Sequence, residues 1–322
     1  MNSKRFILGG LAFALVCSAP MALRAQAPST SFAAEVLTKG AGARPLAMGG
    51  AFVAAANDAT AAYWNPAGLG LIDDFQFTFM HAAQWDIQSY DFLNTAFKTP
   101  SAGSYALSYM RLGTDDIQLS GPGAGTTSYG ENAVFLSGGW KLSKQFAVGT
   151  TMKFLKTDAY TASAFGFGGD VGILFRPVKQ FTIGVVCRDF FGTRIAWQNT
   201  PTNPTDTLHP NGVLGLSYVQ EMGKRETEGS SKIPVSTLSV NFDADVLYLD
   251  KGLNNYRLGV EYWYRKFVAV RGGLLCNGFN FDTDHLTPSA GIGVWAYLLE
   301  IDYAFVSTPL GGVHYLSVIT RL

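Results

Sequence analysis

Residues 146–154 read Phe146-Ala147-Val148-Gly149-Thr150-Thr151-Met152-Lys153-Phe154. Phe146, Val148, Thr150, Met152 and Phe154 fall on one face of an extended chain, and Ala147, Gly149, Thr151 and Lys153 on the other, because side chains alternate across a strand. The pattern repeats. Phe181, Ile183, Val185 and Cys187 oppose Thr182, Gly184 and Arg188, while Leu238, Val240, Phe242, Ala244 and Val246 oppose Thr237, Ser239, Asn241, Asp243 and Asp245. Each segment has one apolar face and one small or polar face.

Alternation alone suits a soluble sandwich, with the apolar face inward, or a membrane barrel, with the apolar face toward lipid. Length separates them. Many segments run ten to thirteen residues, near the ~9–11 that cross a bilayer at a tilt and longer than the ~5–6 of globular strands. Composition agrees: 15% charged residues is low against a typical ~25%, and 36 glycines and 13% aromatics accompany no later apolar run long enough for a spanning helix. The segments fall at 75–83, 87–97, 103–111, 132–142, 145–157, 164–176, 180–191, 211–219, 234–247, 256–265, 267–276, 289–297, 298–305 and 313–322. Fourteen is an even number, which returns both barrel ends to one side of the membrane. With the N-terminus periplasmic, the short connections at 142–145, 176–179 and 265–266 are periplasmic turns, and the stretches 113–131, 192–209 and 277–288 are outer loops. The charged connection 220–233 breaks this rule; it is a solvated loop or a docking site for a periplasmic or secretion-machine partner.

Lys4 and Arg5, the apolar run Phe6–Val16 and Ala25-Gln26-Ala27 form a secretory signal, so the chain divides into a signal peptide (1–27), a plug segment (28–73) and a transmembrane β-barrel (74–322). Cleavage leaves Cys187 and Cys276, too few for a disulfide framework. Lys plus Arg equals Asp plus Glu at 24 each, so no bulk charge points to nucleic acid. The four histidines are scattered, and no metal-ligand spacing, hydrolase motif or cofactor motif occurs. These features point away from an enzyme and imply no cofactor.

Residues 32–72 do not alternate, and their small residues suit packing inside a lumen. Gly49-Gly50 permits a tight bend, and Asn57 or Asp58 can cap a short helix over 59–64, with Pro66 discouraging continuation. Gly42-Ala43-Arg44, Met48-Gly49-Gly50-Ala51-Phe52, Asp58 and Asn65-Pro66-Ala67-Gly68-Leu69 resemble the N-terminal hatch of the PorV/PorQ family, and Asn65-Pro66-Ala67 also matches the hatch motif of FadL-like transporters. Asp170–Pro177, Gly259–Trp263, Val270–Gly273 and Asp302–Phe305 are similar to the group's strand patterns. The resemblance implies a 14-stranded antiparallel FadL-like barrel with a hatch, placed in the bacterial outer membrane by the barrel-assembly machinery. The chain ends in Leu322 where the family ends in an aromatic residue.

The resemblance carries two functional expectations. One is a type IX secretion-associated shuttle or scaffold that contacts secretion-system proteins and exported cargo. The other is a channel for passive uptake of hydrophobic small molecules such as long-chain fatty acids. Arg44, Met48, Asp58, Asn65, Pro66 and Ala67 are the hatch or gate candidates; Asn65–Gly68 reads equally as a simple turn. The lumen phase collects Lys153, Asp170, Arg188, Asp243, Asp245, Arg257, Glu261, Arg271, Glu300 and Asp302, either as an ion-paired brace for the hatch, joined by Arg44, or as a solute path.

Overall fold

The computed structural model describes residues 34–84, 87–100, 103–120, 125–223, 227–228, 231–232, 235–248, 255–278 and 285–322. The expected signal peptide lies outside them. Fourteen antiparallel strands close into a barrel: β1 (Gln76–Gln84), β2 (Gln88–Thr99), β3 (Gly103–Gln118), β4 (Thr126–Lys141), β5 (Phe146–Ala159), β6 (Ala162–Val178), β7 (Phe181–Arg188), β8 (Asn211–Met222), β9 (Ser236–Tyr248), β10 (Asn255–Tyr264), β11 (Val268–Asn277), β12 (Leu286–Ala296), β13 (Leu299–Thr308) and β14 (Gly311–Arg321). Each strand pairs with its sequence neighbours, and β1 closes the ring on β14 from Gln76↔Arg321 to Ala83↔His314. Phe75 and Leu322 extend that seam by exchanging backbone hydrogen bonds of 3.0 and 2.8 Å. Both barrel termini therefore lie at one end, termed the near end.

The side-chain phase follows the sequence pattern. In β5, Ala147, Gly149, Thr151, Lys153 and Leu155 are buried, while Phe146, Met152 and Phe154 are exposed. The same inversion holds around the ring, where Phe79, Leu93, Leu107, Leu136, Val240, Leu258, Ile292 and Leu316 all face outward. A soluble sandwich would bury these side chains. Here they form the apolar outer surface of an outer-membrane barrel.

Two expected outer loops are corrected. The stretch 113–131 is largely strand, because β3 and β4 stay paired through Gln118↔Thr126 with one register shift between Thr114 and Ile117. Its polar residues hide the alternation. The stretch 192–209 contains a hairpin, Thr193–Gln198 with Thr205–Leu208, whose first strand pairs with Ser163–Phe167 of β6. The wall changes partner there: β7 accompanies β6 only from Val178↔Phe181 to Val171↔Cys187, and beyond it the Phe190 N–H donates to the Gly169 carbonyl and the Asp189 N–H to the Asp170 carboxylate, both at 2.8 Å, before the hairpin takes over the edge of β6. The charged connection 220–233 holds a two-residue hairpin, Thr227–Glu228 with Ser231–Lys232.

The segment before β1 fills the lumen. It starts at the far end, where the Val36 N–H donates to Glu131 (2.7 Å), Lys39 donates to Gln84 (3.2 Å) and Tyr90 donates to the Gly40 carbonyl. Short helices follow at Ala43–Ala47 and Ala61–Trp64, then a 3₁₀ turn at Pro66–Leu71. The chain reaches the near end at Ile72, whose carbonyl accepts from Ser104 at 3.4 Å. Gly49 and Gly50 take φ of +64° and +76° and form the expected bend. The expected helix over 59–64 shortens to 61–64. Thr60 occupies the cap position, and Asp58 instead accepts from the Thr60 N–H (2.9 Å) and hydroxyl (2.5 Å).

Candidate functional site

The hatch lies with its backbone directly against the barrel wall, on a track of glycines. Gly139, Gly149 and Gly172 face one another across β4, β5 and β6; Gly184 faces Gly215 across β7 and β8; Gly259 faces Gly273 across β10 and β11. A methyl group at any of these would strike the hatch. At Gly139 a Cβ would stand 2.6 Å from the Gly70 nitrogen, at Gly184 2.6 Å from the Val53 oxygen, and at Gly259 2.7 Å from the Met48 carbonyl oxygen. At Gly149 and Gly172 it would overlap Pro66 and the Asn65 side chain. Only a bare Cα permits this approach.

Met48, Asn65, Pro66 and Ala67 occupy this seam. Asn65 Nδ2 donates to the carbonyls of Val53 (2.9 Å) and of Ile173 on β6 (3.3 Å), while its Oδ1 accepts from the Ala67 N–H (3.2 Å). One side chain thus joins two hatch segments to the wall and caps the turn that Pro66 begins. Met48 packs over Gly259 and receives Asn241 Nδ2 on its sulfur at 3.6 Å.

The charged side chains separate into clusters. Arg44 donates to Glu261 through Nε and Nη2 (both 2.8 Å) and to Asp58 through Nη1 (2.9 Å). Arg271 donates to Glu261 (2.7 Å), pairs with Asp302 and reaches Glu300 at 3.4 Å, while Arg321 completes Glu300 at 2.7 Å. A continuous ion-pair chain therefore runs from the hatch to the near end of the wall. A second cluster joins Lys153 to Asp170 (2.7 Å) and Asp189 (2.6 Å), where β6 parts from β7. A third joins Arg257 to Asp245 at 2.8 Å. Asp243 takes another role, accepting the N–H groups of Phe52 and Val53 at 2.8 Å each. Outside the spanning strands, the hydrogen bond from Lys98 holds the Asp73 carboxyl below the usual carboxylate range.

Arg188 stands apart. Its guanidinium lies over the rings of Tyr63 and Trp64, at 5.6 and 5.7 Å from their centroids, and no carboxylate among the described residues pairs with it. Asp189, Arg321, Glu131, Ser289 and the glycine track also belong to the hatch seat or the clusters, and the sequence reading missed them; Asn57, read there as a helix cap, instead accepts from Arg44 at 2.8 Å. Single glycines in the lumen phase of a strand, such as Gly149 and Gly184, were the available signal; their alignment depends on register. Near the far end Phe165, Phe167, Phe190 and Phe191 are exposed, while Trp197 packs against the core and donates to Asp206 at 2.7 Å.

The far half of the lumen is apolar on the β2–β6 side, where Tyr90, Phe92, Met110, Leu112, Phe135, Leu155 and Ile195 form one buried cluster with Tyr63 and Trp64. No family model matches the chain, and no relative of known function is detected by sequence. Among solved structures it is similar to the toluene transporter TbuX of Ralstonia pickettii, with 12% identity, a TM-score of 0.58, and coverage of 88% of this chain and 98% of that one. It is similar also to the CymD monoaromatic hydrocarbon channel (13%, 0.59, 88% and 98%) and to the P. putida toluene transporter TodX (11%, 0.54, 88% and 99%). The chain shares the fold of these channels. That fold points to the bacterial outer membrane, and these neighbours are transporters and channels rather than enzymes.

Proposed function

We propose that this barrel passes hydrophobic small molecules across the outer membrane. The observation that carries the reading is the apolar and aromatic character of the side chains that the wall turns inward in the far half of the lumen, which suits a hydrophobic solute better than a sugar. The likeness to hydrocarbon channels supports it. With the near end periplasmic, a solute enters at the far mouth and meets the hatch. The glycine track and ion pairs make the hatch a fixed floor rather than a plug that leaves. Uptake by intact cells tests this: cells carrying the gene should take up a radiolabelled hydrophobic solute faster than a deletion strain, with unchanged uptake of a small sugar. Equal rates for the hydrophobic solute would overturn the reading.

The secretion-associated reading draws on the hatch motif and on the long charged connection at the near end, which departs from the short turns elsewhere on that side. Deleting residues 222–231 tests it. A folded barrel that loses secreted proteins while keeping uptake would favour that reading.

A further inference from the structure

The near end carries a small pocket outside the ion-pair clusters. It lies between the turn that joins β4 to β5 and the turn that joins β6 to β7, with Ser143, Lys144 and Gln145 on the first, Arg176 near the end of β6 and Thr182 on β7. The two turns are fastened side by side. The Arg176 N–H donates to the Gln145 carbonyl at 2.7 Å, and Gln145 Nε2 donates to the Pro177 carbonyl at 3.4 Å. Ser143 Oγ accepts from the Gln145 and Phe146 N–H groups at 3.1 Å each, which leaves its own O–H proton for another acceptor. Arg176 Nε donates to Thr182 at 3.4 Å, which steadies the guanidinium while its two terminal nitrogens meet no acceptor among the described residues. Leu71, Ala147 and Leu174 close the floor.

Lys144 and Arg176 pair with no carboxylate among the described residues. Other exposed cations do: Lys98 pairs with Asp73, Arg111 with Asp91 at 3.9 Å and Lys156 with Asp158 at 3.0 Å. The stretches 141–148 and 174–183 hold Lys141, Lys144, Arg176 and Lys179 but no Asp or Glu, so the two turns form an uncompensated positive corner. Beside it the wall is apolar. Leu142 and Val178 are exposed on the turns, and the exposed Phe146 stacks on Phe175 across the strand pair at 4.5 Å. With the near end periplasmic, this boundary between apolar wall and cationic turn stands at the level of the inner-leaflet head groups. A phosphate can accept from a guanidinium fork, an ammonium and a hydroxyl together. A lipid that carries the phosphate would also lay its acyl chains along Phe146, Phe175 and Val178, whereas a free phosphate would use the polar half of the site alone.

We propose that Lys144, Arg176 and Ser143 form a head-group site on the near-end rim for an anionic phospholipid of the inner leaflet, independent of any solute that passes through the lumen. Native mass spectrometry of the purified, folded barrel in a neutral detergent tests it, with dimyristoyl phosphatidylglycerol and dimyristoylglycerol as probes that share their chains and differ in the phosphate head. The expected result is that phosphatidylglycerol is retained roughly tenfold more than the diglyceride, the scale of one or two charged hydrogen bonds. The paired substitution Lys144→Gln with Arg176→Gln should remove this preference, and Arg111→Gln with Lys156→Gln should keep it. Equal retention of the two lipids by the unmodified protein would overturn the proposal, as would a preference that survives the first pair or vanishes with the second. Displacement of the lipid by inorganic phosphate at equal concentration would mark a bare-anion site and overturn the assignment to a lipid. The comparison within the unmodified protein does not depend on any variant folding, and the gel mobility of folded and heated barrel reports whether the variants fold.

Discussion

Gly273→Ala should unseat the hatch, whereas Gly272→Ala, one residue earlier on the same strand, should not. Both glycines lie in β11 in ordinary strand conformation, so alanine brings no backbone strain to either. At Gly273 the added Cβ would overlap the Gly49 nitrogen and the Met48 carbonyl carbon, with the Met48 Cα at 2.7 Å; at Gly272 it would meet nothing within 4 Å. The obstructing atoms are backbone, which cannot rotate away as a side-chain tip would. Overpacking of this kind costs about 1–3 kcal/mol. Since about 1.4 kcal/mol is tenfold, the open fraction of the hatch should rise roughly 5- to 150-fold. Ala56, buried within the hatch, supplies the reporter: Ala56→Cys in a background with Cys187 and Cys276 replaced by serine, followed by maleimide labelling of the folded barrel. The reasoning predicts a labelling rate raised by that factor in Gly273→Ala and unchanged in Gly272→Ala. Equal rates in the two variants would refute it.

Glu261→Ala removes the carboxylate shared by Arg44 and Arg271 and leaves two buried guanidinium groups short of a partner. A cost of about 3–5 kcal/mol should appear as a lower unfolding midpoint in denaturant, and Arg44→Met in the same chain should recover part of it. Asp243→Ala strips the acceptor from the Phe52 and Val53 amides; their hydrogen exchange should speed up roughly 5- to 150-fold, for about 1–3 kcal/mol of lost satisfaction, while the Val36 amide on Glu131 stays protected. Asp73 has a carboxyl pKa depressed by Lys98, so the contact contributes at neutral pH and is lost only as pH falls through that lowered value. Its carboxyl resonance should titrate below the ordinary carboxylate range, and Lys98→Met should return it there.

The barrel was legible because its signal is local. Period-two alternation in a segment such as 146–154 fixes which side chains share the apolar face without knowledge of any neighbour, and all fourteen strands could be found that way. Strand ends were less legible where the apolar face stops: beyond Gly113 and before Glu131 both faces turn polar, yet backbone pairing continues. The site was harder for a different reason. Lys153, Asp170, Glu261, Arg271 and Asp302 could be placed on the lumen face from phase alone, but which cation meets which anion depends on register between strands far apart in the chain. The glycine track is invisible by the same argument, since Gly149 reads as a weak strand position until Gly139 and Gly172 are known to flank it. Arg188 looked like one more member of a charge network. That no carboxylate among the described residues pairs with it is a fact of three dimensions.

The most direct test compares a deletion strain with its parent and with the complemented strain, measuring in the same cultures the initial uptake of a radiolabelled hydrophobic solute and the set of secreted proteins. A channel for hydrophobic small molecules predicts that uptake falls on deletion and returns on complementation, while the secreted proteins do not change. Loss of secreted proteins with normal uptake would contradict it.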